Sequence, residues 1–152
     1  MIYADSSFSA SLYALDDNTG HANEIYQADR RRPLFFTAWQ ELELLNTLRL
    51  GAHRARRAKI APRYTVSNCQ KRIAEDLQNG ILRRAELNWP LCVRRANELS
   101  ETFSEKVGVV MLDVWQVACA IELHAEAFWT FDRDQERLAR ATSRFKSVVG
   151  LD

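Results

Sequence analysis

The residue pattern predicts an α/β protein with a largely parallel sheet covered by helices. Three observations lead there. Short apolar runs at residues 2–4, 34–37, 127–131 and 145–149 read as strands. Segments of helical spacing separate them, and the order β-α-β-α…α-β-α-β is the one parallel sheets use. Acids stand directly after the first and third of the longer-range apolar runs, at Asp5 and Asp132. In such sheets, ligands bind outside the carboxyl ends of the strands.

The elements follow in order. Residues 2–4 form a short buried strand stopped by Asp5-Ser6-Ser7, and residues 8–15 the next helix. Asp16 to Gly20 reads as a loop, and residues 22–30 as a second helix. Pro33 introduces the strand at 34–37, and Thr37 is a suitable N-cap for the helix that follows. Along that helix Leu42, Leu45, Leu48 and Leu50 are expected to make one apolar face. Glu41 and Glu43 point about 200° apart at 3.6 residues per turn, so only one can face a given site. Glu43 shares a face with Asn46 and is the choice; Glu41 is expected in solvent.

Residues 53–105 read as two or three basic amphipathic helices, one capped by Ser67 and running to Gly80, with a short strand at 82–87 between them. Trp89-Pro90 opens the next helix, since proline fits the first turn. The run 107–111 is apolar and β-branched and leads into Asp113, from which a helix runs to His124 with Val117, Ala118 and Ile121 inward. A strand at 127–131, a helix at 135–142 and a last strand at 145–149 complete the chain.

The 152 residues are expected to form a single domain with one core. The apolar runs are far shorter than the roughly 20 residues of a membrane span. No basic stretch precedes an apolar one at the start, so a cytoplasmic location is expected. Cys69, Cys92 and Cys119 are odd in number and make no C-x-x-C pair, which points to reduced, buried thiols. His21, His53 and His124 are scattered, giving histidine ligation little support.

What remains for chemistry is acid. Asp5, Glu43, Asp113 and Asp132 are all tied to element ends or helix starts. Carboxylates brought together repel one another and ask for a counter-cation, and an all-oxygen site suits Mg²⁺ or Mn²⁺. Such ions activate water and stabilise charge on a phosphodiester undergoing cleavage. Ser6, Ser7 and Thr130 stand beside these acids, and Asn46 one turn from Glu43, as groups that can orient water, phosphate or a carboxylate. The charge distribution agrees. From Arg49 to Arg95 there are twelve Lys/Arg against three acids, so this stretch carries +9 and the remainder −8. A basic segment flanking an acidic site fits a polyanion substrate whose cleavage needs a cation.

Four motifs, taken in order, resemble the PIN-domain family and its VapC-like toxin ribonucleases. Ile2-Tyr-Ala-Asp5-Ser-Ser7 resembles the first strand with its acid. Glu43-Leu-Leu-Asn46-Thr-Leu48-Arg49 resembles the second acid and its helix, and Leu112-Asp113-Val-Trp-Gln116-Val-Ala118 the third. Thr130-Phe-Asp132 resembles the Thr-x-Asp ending of a later strand. The chain departs from the family where Gly108 to Leu112 lacks a common Arg, where Gln116 replaces a common His, and where Ser6 replaces Thr. The resemblance implies a three-layer α/β/α fold and Mg²⁺- or Mn²⁺-dependent endoribonuclease activity. It also implies a homodimer and a cognate antitoxin protein. The four acids would hold the metal, with Ser6, Ser7, Asn46, Gln116 and Thr130 around them. The alternatives are a PIN-type RNA-processing nuclease without toxicity and a non-enzymatic Mg²⁺-binding regulatory domain.

Overall fold

The structure is a computed structural model that describes residues 1–29, 32–61 and 63–150. The chain divides into two compact units, one of residues 1–5 and 85–152, the other of residues 6–84.

The first unit is built on three parallel strands: β1 (Ile2–Ala4), β4 (Ala127–Trp129) and β5 (Ser147–Val149). β4 lies in the middle, with Ala4 opposite Trp129 and Trp129 opposite Val149. Both its neighbours hydrogen-bond to it, and Ile2, Tyr3, Ala127, Phe128 and Trp129 are buried. Continuous rather than alternating apolarity is what a strand covered on both faces requires. The rings of Tyr3 and Phe128 stack at 5.7 Å, and Phe145 packs against Phe128 at 5.4 Å.

The helices of this unit are α5 (Trp89–Leu99), α6 (Met111–Glu122) and α7 (Arg133–Thr142). Asn88 caps α5 through a bond from Leu91 N, with Pro90 in the first turn as expected. α5 passes without a break into a π-helical segment, Ser100–Gly108, which ends at Gly108 with φ +75°. A left-handed φ of that size is open to glycine at no steric penalty. The run 107–111 therefore makes no strand. It closes the π-helix and begins α6, and Val110 and Met111 lie exposed. α6 buries every residue from Asp113 to Ala120. α7 is different: its apolar residues Leu138 and Ala139 are buried, and its charged residues pair locally, Arg137 with Asp134 and Arg140 with Glu136.

The second unit holds α1 (Ser6–Tyr13), α2 (Thr19–Ala28), β2 (Leu34–Phe36), α3 (Ala38–Arg57), α4 (Val66–Gln78) and β3 (Leu82–Arg84). β2 and β3 pair in parallel, Leu34 opposite Leu82. α1 begins two residues earlier than the pattern suggested, directly behind Asp5, and α2 begins at Thr19. The expected end of that second helix at Arg30 lies outside the described residues. Thr37 caps α3 as expected. Its Oγ1 accepts from Gln40 N at 3.1 Å while Thr37 N donates to Gln40 Oε1 at 2.9 Å, a reciprocal capping box.

The buried stripe of α3 is not the expected one. Gln40, Leu44, Leu48 and Ala52 face inward, whereas Leu42 and Leu50 are 61% and 44% exposed. The capping box fixes the phase: Gln40 must turn towards Thr37, and buried positions then recur every fourth residue. α4 is capped by Thr65 rather than Ser67, through a bond from Asn68 N. Tyr64 Oη donates to the Leu48 carbonyl at 2.8 Å, passing over Gly51, where a side chain would collide with it. Tyr13 Oη donates to Asp76 at 2.7 Å and lies under the Arg72 guanidinium. Burial raises the Tyr13 pKa first, and the Asp76 carboxylate raises it further. The three cysteines are buried and form no disulfide among the described residues.

Candidate functional site

The register of β1 against β4 decides where the first unit's acids go. Because Ala4 lies opposite Trp129, the residues leaving these strands, Asp5 and Thr130, come side by side. Asp5 N donates to the Trp129 carbonyl at 3.0 Å, which fixes the backbone at that point. Thr130 Oγ1 then donates to Asp5 Oδ2 at 2.9 Å and accepts from Asp132 N at 2.9 Å. A hydroxyl has one proton, so the direction is set: the Asp5 carboxylate takes the proton and the Asp132 backbone supplies the other bond. Asp5 and Thr130 are 1% and 0% exposed. One side chain thus ties together the ends of two neighbouring strands.

Asp132 has a local duty as well. It is the N-cap of α7, and its Oδ1 accepts from Asp134 N at 2.8 Å and Gln135 N at 3.1 Å. Asp113 sits in the first turn of α6, where its Oδ2 accepts from Val110 N at 3.1 Å. Its pKa is raised, by burial first and then by the charges of Asp132 and Asp134, against the lowering effect of bonds from Val110 and the Gln135 amide. Burial is the larger cause, and the charges of Asp132 and Asp134 act on Asp113 in the same direction.

The other expected residues are placed as follows. Glu43 lies on α3 in the second unit, partly buried, one residue before the buried Leu44. Glu41, expected in solvent, pairs with Arg84 at 2.6 Å. Ser6 and Ser7 open α1 and are half-buried, and Asn46 is exposed. Gln116 is fully buried, its Oε1 accepting from Tyr3 Oη at 2.5 Å. In the basic segment, Arg63, Arg72, Arg84 and Arg95 are engaged with Asp17, the Tyr13 ring, Glu41 and Glu122 respectively. Arg54, Arg56 and Arg57 stand exposed in the last turn of α3, where the helix dipole favours cations.

Among the described residues, no three of His, Cys, Asp and Glu stand close enough as they lie to hold a metal ion. The chemistry of the donors nonetheless fits a hard divalent cation. The acids and Thr130 offer oxygen only, the donor type such an ion prefers.

Sequence reasoning missed Asp134 and Gln135. The available signal was Asp132 as an N-cap: an N-cap at 132 puts residue 135 in the first turn, beside the capping carboxylate. Starting that helix at Gln135 rather than Arg133 hid this.

No family model matches the chain, and no curated protein matches it either. Among solved structures, it is similar to the toxin VapC20 of Mycobacterium tuberculosis, described as cleaving the sarcin–ricin loop. The two are 20% identical, with a TM-score of 0.63 over 94% of this chain and 95% of that one. An alignment of that extent at so low an identity speaks for architecture: the chain has the α/β/α fold of a PIN domain.

Proposed function

We propose that this protein is a metal-dependent endoribonuclease, the toxin of a toxin–antitoxin pair. The observation that carries the reading is the bonded series Asp5–Thr130–Asp132 at the carboxyl ends of β1 and β4, with Asp113 in the same field. It occurs in a fold shared with an RNA-cleaving toxin. Asp5, Asp113 and Asp132 would hold Mg²⁺ or Mn²⁺. Glu43 is carried with them as the fourth carboxylate on the likeness of its motif. A bound divalent ion supplies an activated water and charge stabilisation at the phosphate.

The chain's own residues do the rest. Thr130 holds the Asp5 carboxylate in one orientation, so that acid does not have to be ordered when substrate arrives. The α7 N-terminus holds Asp132 by two backbone N–H groups. Exposed Arg54, Arg56 and Arg57 are available to phosphate oxygens of RNA, which position a strand without reading its sequence. A homodimer, a cognate antitoxin and a cytoplasmic setting belong to the same reading. Ser6, Ser7, Asn46 and Gln116 remain assigned as supporting residues.

Induction in a bacterial host tests the toxin reading. Wild-type protein is expected to arrest growth, and Asp5→Asn to relieve the arrest at equal soluble expression. Arrest that persists in Asp5→Asn would remove this site from the explanation. Normal growth with wild-type protein that cleaves RNA in vitro would favour an RNA-processing nuclease.

A further inference from the structure

Between Glu43 and Glu75 the sequence has no Asp or Glu, yet eight Lys or Arg stand in that interval. Two of the eight are engaged: Arg63 pairs with Asp17, and Arg72 donates to the Leu12 and Tyr13 carbonyls. Arg49, Arg54, Arg56, Arg57, Lys59 and Lys71 are exposed and form no ion pair among the described residues.

The phase of α3 decides where its cations point. Gln40, Leu44, Leu48 and Ala52 turn inward. At 3.6 residues per turn, Arg49, His53, Arg56 and Arg57 then fall within an arc of about 100° on the side away from that stripe. All four are exposed. Cations in the last turn have a local reason to be there, the negative end of the helix dipole. That reason does not reach Arg49, about two turns before Arg57, because the effect falls off within the last turn. Nor does it remove the repulsion of like charges three residues apart, Arg54 with Arg57 and Arg56 with Lys59. A face that keeps such repulsion with no acid to relieve it is complementary to an anion arriving from solution. Its position matters as well. Glu43 stands near the start of the same helix, about 20 Å from Arg57 at 1.5 Å per residue. An ion held at Glu43 and the cationic face therefore meet different parts of a bound polymer.

We infer that Arg49, His53, Arg56 and Arg57 form an exosite for RNA backbone, which binds phosphates away from Glu43 and without need of metal. The inference rests on the ribonuclease reading and deepens it: substrate is held outside the carboxylates by one face of α3, while Arg63 and Arg72 serve the fold. Arginine suits the task because its planar fork meets two phosphate oxygens at once. Contacts of this kind set the register of the RNA and leave sequence to be read elsewhere.

The test is binding of a fluorescent RNA hairpin to the full-length protein in EDTA, followed by anisotropy over a range of salt concentrations. The triple variant Arg49→Gln/Arg56→Gln/Arg57→Gln should lower the slope of log affinity against log salt by about 2–3, one phosphate for each lost cation. Glutamine forms helix about as well as arginine, and an unchanged melting temperature checks this. Should the triple variant melt early, Arg49→Gln alone serves, with a fall of about 1. Lysine at the same three positions keeps the charge and should keep the slope. Arg94→Gln/Lys106→Gln/Arg144→Gln removes as much charge from exposed positions of the first unit and should leave the slope nearly level. An equal fall in both glutamine triples means diffuse attraction and overturns the inference. An unchanged slope in the α3 variant overturns it too. So does poly-glutamate that displaces the hairpin as well as unlabelled RNA of equal charge, which assigns the face to an acidic protein. Cleavage is read separately with Mg²⁺. Cleavage by wild type beside an unchanged slope in the α3 variant sinks the exosite and spares the nuclease. A lowered slope without any cleavage by wild type does the reverse.

Discussion

α6 and α3 show how differently two helices of one chain carry polar residues. On α6 every residue from Asp113 to Ala120 is buried, so the helix has no water-facing side at that level. Each polar group there needs a protein partner: Asp113 takes a bond from Val110 N, and Gln116 takes one from Tyr3. On α3 only Gln40, Leu44, Leu48 and Ala52 are turned inward over 20 residues. Its Asn46, Arg54, Arg56 and Arg57 meet water. The acid on α6 is therefore held by the backbone, and burial raises its pKa. A polar residue on α3 is on offer to whatever arrives from solution. The first kind of helix suits a preorganised site and the second a surface that meets a polyanion.

Three substitutions would break or sharpen this contrast, in falling order of effect. Leu44→Ala removes a fully buried side chain from the inward stripe of α3. Denaturant unfolding should show a loss of about 2–5 kcal/mol; a small loss would mean the stripe is misplaced. Ala118→Leu inserts bulk on α6, where Ala118 is 0% exposed. About 1–3 kcal/mol should be lost through overpacking, and tolerance at full stability would contradict a helix closed on all sides. Leu42→Ala, at a position 61% exposed, should change stability by no more than about 0.5 kcal/mol. A loss as large as that of Leu44→Ala would restore the leucine face that the spacing of 42, 45, 48 and 50 implied.

That leucine face is instructive about what a sequence discloses. A leucine-rich helix offers more than one apolar stripe, and hydrophobicity alone does not choose among them. The choice came from a polar residue, Gln40, committed to Thr37 by the capping box. Thr37 itself was readable because capping is local chemistry between residues three apart. So were the strand at Ile2–Ala4, the helix opened by Trp89-Pro90, and the acids at strand ends. The π-helix was not readable. It differs from an α-helix by the register of its backbone bonds, which side-chain periodicity over one or two turns does not separate. The apolar, β-branched run 107–111 closes the π-helix and begins α6, with Val110 and Met111 exposed.

The acids of the first unit show the same division. Asp5 and Asp132 could be placed because each ends an apolar run and parallel strands bring such ends together. The hydroxyl that joins them, Thr130, was recognisable only as a neighbour.

Cleavage of total bacterial RNA by the purified protein tests the central claim most directly. The assay is run with Mg²⁺, with Mn²⁺ and with EDTA, beside an Asp5→Asn control of equal melting temperature. Discrete fragments should form with either metal, vanish with EDTA, and fall by roughly a hundredfold or more in the control. Fragments that persist in EDTA or in Asp5→Asn would contradict a metal-dependent site at the ends of β1 and β4.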